Sequence, residues 1–188
     1  MPQVEANEIN IEVEAFGDPA DPTVLLIMGL GAQMIVWPED FCRLLADAGH
    51  HVVRFDNRDV GLSTWFDEAG EPDIEAVFED AVAGRPVESP YSLSDMADDA
   101  VGVLDALGID SAHIVGASMG GMIAQALAIR HPGRVRSLTS IMSTTGNPEV
   151  PPAQPEAMAV LMEPVPEDRD AVIERSIHTD RVIGSPAY

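Results

Sequence analysis

The segment 112–130, AHIVGASMGGMIAQALAIR, decides the fold of this sequence. Residues 112–115 form a short apolar run that is typical of a buried strand, and residues 119–130 carry apolar side chains along one side of a predicted helix. Between them lies Gly116-Ala117-Ser118-Met119-Gly120, a G-x-S-x-G pattern. The pattern alone is unspecific. A strand before it and a helix after it indicate a sharp turn that exposes the serine.

The residue types of this turn have a physical reason. Gly116 and Gly120 lie two residues before and after Ser118, where side chains would collide in so sharp a turn, and Gly121 keeps the turn small as well. The Ser118 Oγ atom then projects at the N-terminus of a helix, whose dipole favours a developing negative charge. We therefore predict that Ser118 is a nucleophile. The alternative is a glycine-rich packing turn with an incidental serine.

A second glycine-rich turn, Met28-Gly29-Leu30-Gly31, follows the apolar run 24–28. A serine that attacks acyl groups needs two N–H donors directed at the oxyanion. Met119, the residue after the serine, is predicted to supply one of them. Leu30 is the candidate for the other. The alternative here is an ordinary glycine turn without a chemical role.

The order of the remaining elements predicts an α/β protein. Strands are predicted over 9–16, 24–28, 51–55, 112–115 and 135–142, and helices over 38–48, 92–107, 119–130, 156–162 and 169–177. The helix from Ser92 begins with the capping-box pattern Ser92-x-x-Asp95. Strands that alternate with helices predict a mostly parallel sheet flanked by helices. The acidic segment 68–90, rich in Gly and Pro, is predicted to be an irregular excursion with a short helix.

The segment DNRDVGLS at 56–63, read together with the two glycine turns, resembles the α/β-hydrolase superfamily, and in particular its aclacinomycin methylesterase-like and enol-lactonase-like branch. Met28 stands where that family usually has His. The resemblance implies a serine hydrolase that acts on a carboxylic ester or lactone through an acyl-serine intermediate, with no metal or organic cofactor. Arg58 and Asp59 are expected to form a structural hydrogen-bond and ion-pair network.

The resemblance also implies a division of the chain at residue 146. Residues 1–146 would be the N-terminal part of the hydrolase core, and residues 147–188 the beginning of an incomplete helical cap. Met158, Leu161 and Met162 of that cap would line an apolar acyl pocket, or else serve plain cap packing.

The superfamily order of catalytic groups is serine, acid, then histidine. It leads us to expect the acid and the histidine beyond Tyr188, the C-terminal strands missing, and a 188-residue piece that is nearly inactive. Glu149 and His178 are the alternatives within the chain. His50, His51, His113 and His131 are expected to be surface or satisfied core histidines.

Composition excludes several function classes. The formal net charge is -22, and all ten basic residues are Arg. We therefore expect neither nucleic acid nor an anionic membrane surface as a partner. We expect neither a signal peptide nor a membrane span. The single cysteine, Cys42, is expected to be a small buried hydrophobe in a reducing cytoplasm. The oligomeric state stays open. Two rival functions are a cofactor-free haloperoxidase or perhydrolase, which uses the same serine site, and a non-catalytic binding or receptor protein on this fold.

Overall fold

The computed structural model describes residues 2–70, 73, 76–77, 79–80, 83–147, 149–151 and 153–184. The chain divides into two compact units, Met1–Thr145 and Gly146–Tyr188. The first unit contains the sheet and the serine turn. The second unit holds two helices, and its assignment to a cap stays a prediction.

The first unit is built on one six-stranded sheet. Its strands are β1 (Gln3–Ala6), β2 (Ile9–Phe16), β3 (Thr23–Ile27), β4 (His51–Phe55), β5 (Ala112–Ala117) and β6 (Val135–Ile141). Their spatial order is β1-β2-β4-β3-β5-β6. Strands β1 and β2 are antiparallel to their neighbours, whereas β4, β3, β5 and β6 run parallel to one another. The predicted mostly parallel α/β fold is therefore confirmed.

Helices cover the two faces of this sheet. Helix α1 (Glu39–Asp47) shares a hydrophobic cluster with one face, and α2 (Leu93–Ala106) and α3 (Met119–Arg130) pack on the other. Strands β3 and β4 are buried along their whole length because helices lie on both sides. Cys42 of α1 is fully buried, and burial raises the pKa of its thiol, as expected of a residue that serves as a small hydrophobe.

Helix α2 begins as its sequence predicts. The Ser92 side chain accepts from the Asp95 backbone N–H, and the Asp95 carboxylate accepts from the Ser92 backbone N–H. These two hydrogen bonds satisfy N–H groups that a helix start leaves without partners. The hydrogen bonds from Ser92 also hold the pKa of Asp95 below its ordinary value.

Two elements differ from the prediction. Strand β1 was not predicted; it joins β2 through a tight turn in which Asn7 and Glu8 both adopt positive φ, at 49° and 66°. The last helix of the second unit, α5 (Arg169–Ile183), runs six residues beyond the predicted end at 177. The predicted excursion 68–90 agrees with the structure where it is described: residues 76, 77, 79 and 80 are helical, as a short helix requires, and residues 71, 72, 74, 75, 78, 81 and 82 lie outside the described residues.

The second unit contains α4 (Pro155–Met162) and α5. The Asp168 side chain caps α5 by accepting from the backbone N–H groups of Asp170 and Ala171. Val160 of α4 is buried. In the described part of the chain, no helix is both long enough and apolar enough to cross a lipid bilayer.

Candidate active site

Ser118 occupies the turn between β5 and α3. Its φ of 55° and ψ of -122° lie outside the regions that residues with a side chain commonly adopt. Two backbone hydrogen bonds hold this conformation: the Ser118 N–H donates to the Ile141 carbonyl oxygen at 2.8 Å, and the Gly121 N–H donates to the Ser118 carbonyl oxygen at 2.9 Å. A strained residue persists only where its surroundings determine its conformation, and such residues concentrate at functional sites.

The three glycines predicted to support the turn lie in close backbone contacts. A Cβ atom on Gly116 would overlap the carbonyl group of Gly120, and one on Gly120 would overlap the carbonyl oxygen of Ile27 at the end of β3. A Cβ atom on Gly121 would lie 2.6 Å from the Cβ atom of Ser143. Each of these positions therefore requires glycine.

The loop after β3 passes directly beside the serine. A Cβ atom placed on Gly29 would lie 3.0 Å from the Cβ atom and 3.5 Å from the Oγ atom of Ser118. Leu30, the predicted second oxyanion donor, follows Gly29, and its side chain is exposed. Met119 occupies the first position of α3, where the backbone N–H has no intrahelical partner. The two predicted donors thus belong to segments that meet at Ser118.

The segment 56–63 after β4 contains the predicted polar network. The Arg58 guanidinium forms two hydrogen bonds of 2.6 Å to the buried carboxylate of Asp99 in α2. Arg58 also stacks on the rings of Phe66 and Tyr91, with its central carbon 5.1 Å and 4.9 Å from their centroids. The structural role expected of Arg58 is therefore confirmed, with Asp99 as the partner.

Asp59, the second residue of that network, adopts a φ of 59°, and its carboxylate accepts from the backbone N–H of Phe66 at 2.6 Å. Burial, together with a hydrogen bond to Asp59, raises the pKa of Tyr91 to about 12. Tyr91 therefore stays protonated at neutral pH and acts as a hydrogen-bonding group.

The structure of this segment also shows two residues to which the sequence reasoning assigned no role, Asp56 and Asn57. Both are buried, and both hydrogen-bond to the loop that carries Leu30. A sequence signal for them exists, because polar residues directly after a buried strand face the edge of the sheet where sites form.

The four histidines of the first unit are engaged away from Ser118. His51 pairs with Thr23 at the start of β3 and β4, and His113 pairs with Ser137 near the start of β5 and β6. His131 follows the far end of α3, where its Nε2 atom lies 2.6 Å from the Asp98 carboxylate. His50 lies 3.4 Å from the Pro22 carbonyl oxygen. The expectation that these are surface or satisfied core histidines agrees with these contacts.

The other predicted site residues lie in the second unit. Met158, Leu161 and Met162 are exposed along α4. Met162 and His178 line, with Val160, an open cavity of about 350 Å³ within that unit. Glu149 is exposed. The pocket role of the three apolar residues, and the alternatives Glu149 and His178 for the triad, remain predictions.

No group of three or more His, Cys, Asp or Glu side chains that could hold a metal ion occurs among the residues that the structure describes. The hydrogen bonds that hold Ser118 are made by backbone N–H and carbonyl groups, and the buried side chains of Asp56 and Asn57 bond to the loop that passes beside it. Such a site can present a hydroxyl to an electrophile and direct N–H donors at an oxygen atom.

Ser118 occupies a strained strand-to-helix turn on the carboxyl edge of a mostly parallel sheet, beside a glycine loop. This arrangement defines a class of α/β proteins that are built around a nucleophile turn. The chain belongs to the α/β hydrolase fold family, whose model matches residues 22–179.

The sequence is similar to that of the rhodomycin D methylesterase DauP of a Streptomyces species, with 38% identity over 136 residues that cover 72% of this chain and 40% of the relative. The chain spans about two fifths of the length of the curated methylesterases that it matches.

Two solved structures are similar to the fold. One is described as an N-acyl homoserine lactone degrading enzyme; it shares 30% identity and a TM-score of 0.57 over 85% of this chain and 51% of its own. The other is the enol-lactonase from Burkholderia xenovorans, with 24% identity and a TM-score of 0.54 over 71% of this chain and 44% of its own. At that identity, the likeness to the enol-lactonase shows the fold alone.

Proposed function

We propose that this protein hydrolyses a carboxylic ester or lactone, with Ser118 as the nucleophile. The observation that carries the proposal is the strained conformation of Ser118, at φ 55° between β5 and α3, beside a loop that approaches its side chain. The methylesterase and lactone-degrading relatives support the same reaction class. Two exposed apolar side chains, Leu30 and Met142, lie on the segments next to the turn and favour a substrate with an apolar part.

In the proposed reaction the Ser118 Oγ atom bonds to the carbonyl carbon as its proton passes to a general base. The electron pair of the C=O double bond moves to the oxygen, where the N–H groups of Leu30 and Met119 stabilise the charge. Collapse of this intermediate expels the alkoxide, which takes up a proton and leaves as the alcohol. In a lactone the alcohol remains tethered to the acyl group. Water then attacks the acyl-serine by the same steps and releases the acid.

The histidines bear on how fast the 188-residue chain reacts. A serine hydroxyl is a poor nucleophile without a base, and the four histidines of the first unit have partners away from Ser118. We therefore propose that the chain as given reacts slowly. Oxyanion stabilisation without the base still leaves a residual rate of about 10³ to 10⁴ over water in serine proteases.

A fluorophosphonate probe tests the role of Ser118. We expect slow labelling of the purified chain, with the label mapped to Ser118 by peptide mass spectrometry and absent in Ser118→Ala. Labelling that persists at full extent in Ser118→Ala, or no labelling of the wild-type chain after prolonged incubation, would contradict the proposed nucleophile.

His178→Ala is the second variant. If the slow rate reflects a missing base, this substitution leaves the labelling rate unchanged; a large loss of rate would identify His178 as the base. Hydrolysis of a short p-nitrophenyl ester and of an N-acyl homoserine lactone, measured side by side, distinguishes ester from lactone preference.

A further inference from the structure

Two adjacent residues after β4 hold both ends of the loop that follows β3. The Asn57 side-chain amide donates to the Met28 carbonyl oxygen at 2.9 Å. The Asp56 carboxylate accepts from the Met34 backbone N–H at 2.7 Å. Both side chains are nearly inaccessible, with Asp56 3% and Asn57 2% exposed. The loop 28–34 is therefore attached at its first and last residues to the two residues that directly follow β4.

The Asp56 end of this attachment is itself tightly fixed. Its second carboxylate oxygen accepts from the Leu62 N–H at 3.1 Å, and a Cβ atom on Gly61 would overlap that oxygen. The Asp56 backbone N–H donates to the Glu12 carbonyl oxygen in β2, and its carbonyl oxygen accepts from the Ser63 hydroxyl. An anchor with partners on every side moves little, so it can set the position of what it holds.

The loop between the two anchors is short and passes the serine. Its five residues, 29–33, include the turn in which the Ala32 N–H donates to the Gly29 carbonyl oxygen at 3.3 Å. Gly29 lies against Ser118, and a Cβ atom on Gly120 would also lie only 2.8 Å from the Met28 carbonyl oxygen. The carbonyl that Asn57 holds is thus at the contact between the loop and the serine turn, and a shift of Met28 would move the Leu30 N–H.

We propose that Asp56 and Asn57 are positioning residues that hold the Leu30 N–H in place beside Ser118. The inference rests on the proposed function, because it assigns to Leu30 the second oxyanion donor. Asn57 is required as a hydrogen-bond donor: an aspartate of the same shape would turn a carboxylate oxygen toward the Met28 carbonyl oxygen, and the two acceptors would repel each other.

The test compares Asn57→Asp and Asn57→Ala with Thr23→Val in the 188-residue chain. Thr23 is the matched control because its buried hydroxyl also bonds to a side chain of β4, but at the opposite end of β3. The first measurement is the rate constant for Ser118 labelling by a fluorophosphonate. The second is deuterium uptake in peptides that cover residues 28–36.

We expect Asn57→Asp to lower the labelling rate constant of the folded protein by about ten- to a hundred-fold, since small misplacements of catalytic groups cost rates of this order. Deuterium uptake over 28–36 should rise in both Asn57 variants and stay unchanged in Thr23→Val, which keeps the wild-type labelling rate.

Equal labelling rates in wild type and both Asn57 variants would overturn the positioning role, and so would an unchanged uptake over 28–36. If the wild-type chain is not labelled at all, the proposed function fails. The uptake measurement then decides separately whether Asn57 holds the loop.

Discussion

The buried ion pair between Arg58 and Asp99 offers a sharp test of how the segment after β4 is held. Asp99→Asn keeps the shape of the side chain and removes its charge. In the wild-type protein both carboxylate oxygens of Asp99 accept from Arg58 at 2.6 Å, and one of them also accepts from the Asn7 amide at 2.9 Å. In the variant an NH₂ group replaces one of these acceptors and faces a donor, and the buried guanidinium keeps its charge without the carboxylate to which it is hydrogen-bonded.

The expected loss follows from burial. The side chains of Arg58 and Asp99 are 6% and 2% exposed, so water cannot solvate the charge that remains. Removing one partner of such a pair destabilises proteins by about 3–5 kcal/mol. That loss is a large share of the free energy of unfolding of a typical domain, which is roughly 5–15 kcal/mol. The exposed pair of Glu39 and Arg43 is the control, and Glu39→Gln should leave the free energy of unfolding nearly unchanged, because water screens this pair.

Urea unfolding followed by circular dichroism measures these free energies. The double variant Arg58→Met/Asp99→Leu removes both charges together, and apolar replacement of a buried pair is often neutral or stabilising, so it should lose at least about 2 kcal/mol less than Asp99→Asn. An Asp99→Asn variant that loses less than about 1 kcal/mol, or a double variant as unstable as the single one, would refute the reasoning from burial.

Three further outcomes follow from the structure. Gly29→Ala should slow fluorophosphonate labelling of Ser118 by about ten-fold or more, because its Cβ atom crowds the serine. Gly49→Ala is the control: Gly49 lies between α1 and β4, away from the serine turn, and its Cβ atom would meet no atom within 4 Å. The strain at its φ of 85° should lower the unfolding free energy by about 1 kcal/mol without changing the labelling rate. Burial lowers the pKa of His51 in the folded chain below its ordinary 6.5. At pH values between this lowered pKa and 6.5, the unfolded chain therefore binds more protons than the folded one. Stability should therefore fall as pH drops below about 6.5, and His51→Gln should flatten that slope in urea midpoints taken from about pH 7.5 to about pH 5. Ser92→Ala removes the cap of α2 and should lower the urea midpoint by the equivalent of about 1 kcal/mol, whereas an unchanged midpoint would show that the cap contributes nothing.

Much of the fold could be predicted because its signals are local. The strands β3 and β4 are apolar runs, and α2 begins with a capping box. The serine turn combines a strand, a glycine pattern and a helix within the 19 residues 112–130. Each signal depends on neighbours in the sequence and needs no knowledge of the tertiary fold. The same holds for Gly116, which is crowded by Gly120 within the turn, whereas Gly120 is crowded by Ile27 at the end of β3 and Gly121 by Ser143.

The sequence did not predict strand β1, and the reason is physical. It has only four residues, QVEA, and only two of them are apolar. Its turn to β2 places Asn7 and Glu8 at positive φ. Asn favours such a position, but Glu does not, so the hairpin lacks its usual sequence pattern. The strand exists because the register with β2 and contacts with α2 bury Ala6.

The partners of the polar residues could not be predicted either. Arg58 is hydrogen-bonded to Asp99, which lies 41 residues later in the sequence. Asn57 is hydrogen-bonded to the Met28 carbonyl group, which lies 29 residues earlier. A sequence pattern places polar residues at the edge of the sheet, but it does not say which of them will meet. Their pairing depends on the order of strands, in which β4 and β5 both adjoin β3.

The geometry of Ser118 therefore depends on more than its own turn. The Ser118 N–H donates to Ile141 of β6, and Gly29 after β3 approaches the serine side chain. Gly120, two residues after the serine, packs on the end of β3. Strain of about 1–3 kcal/mol at such a residue persists only while these neighbours are in place. Because β6 is the edge strand of the described sheet and is largely exposed, the hydrogen bond from the Ser118 N–H to the Ile141 carbonyl oxygen is the least protected of these supports. The strained conformation of Ser118 is thus a property of the assembled sheet, although the residues that form its turn are adjacent in the sequence.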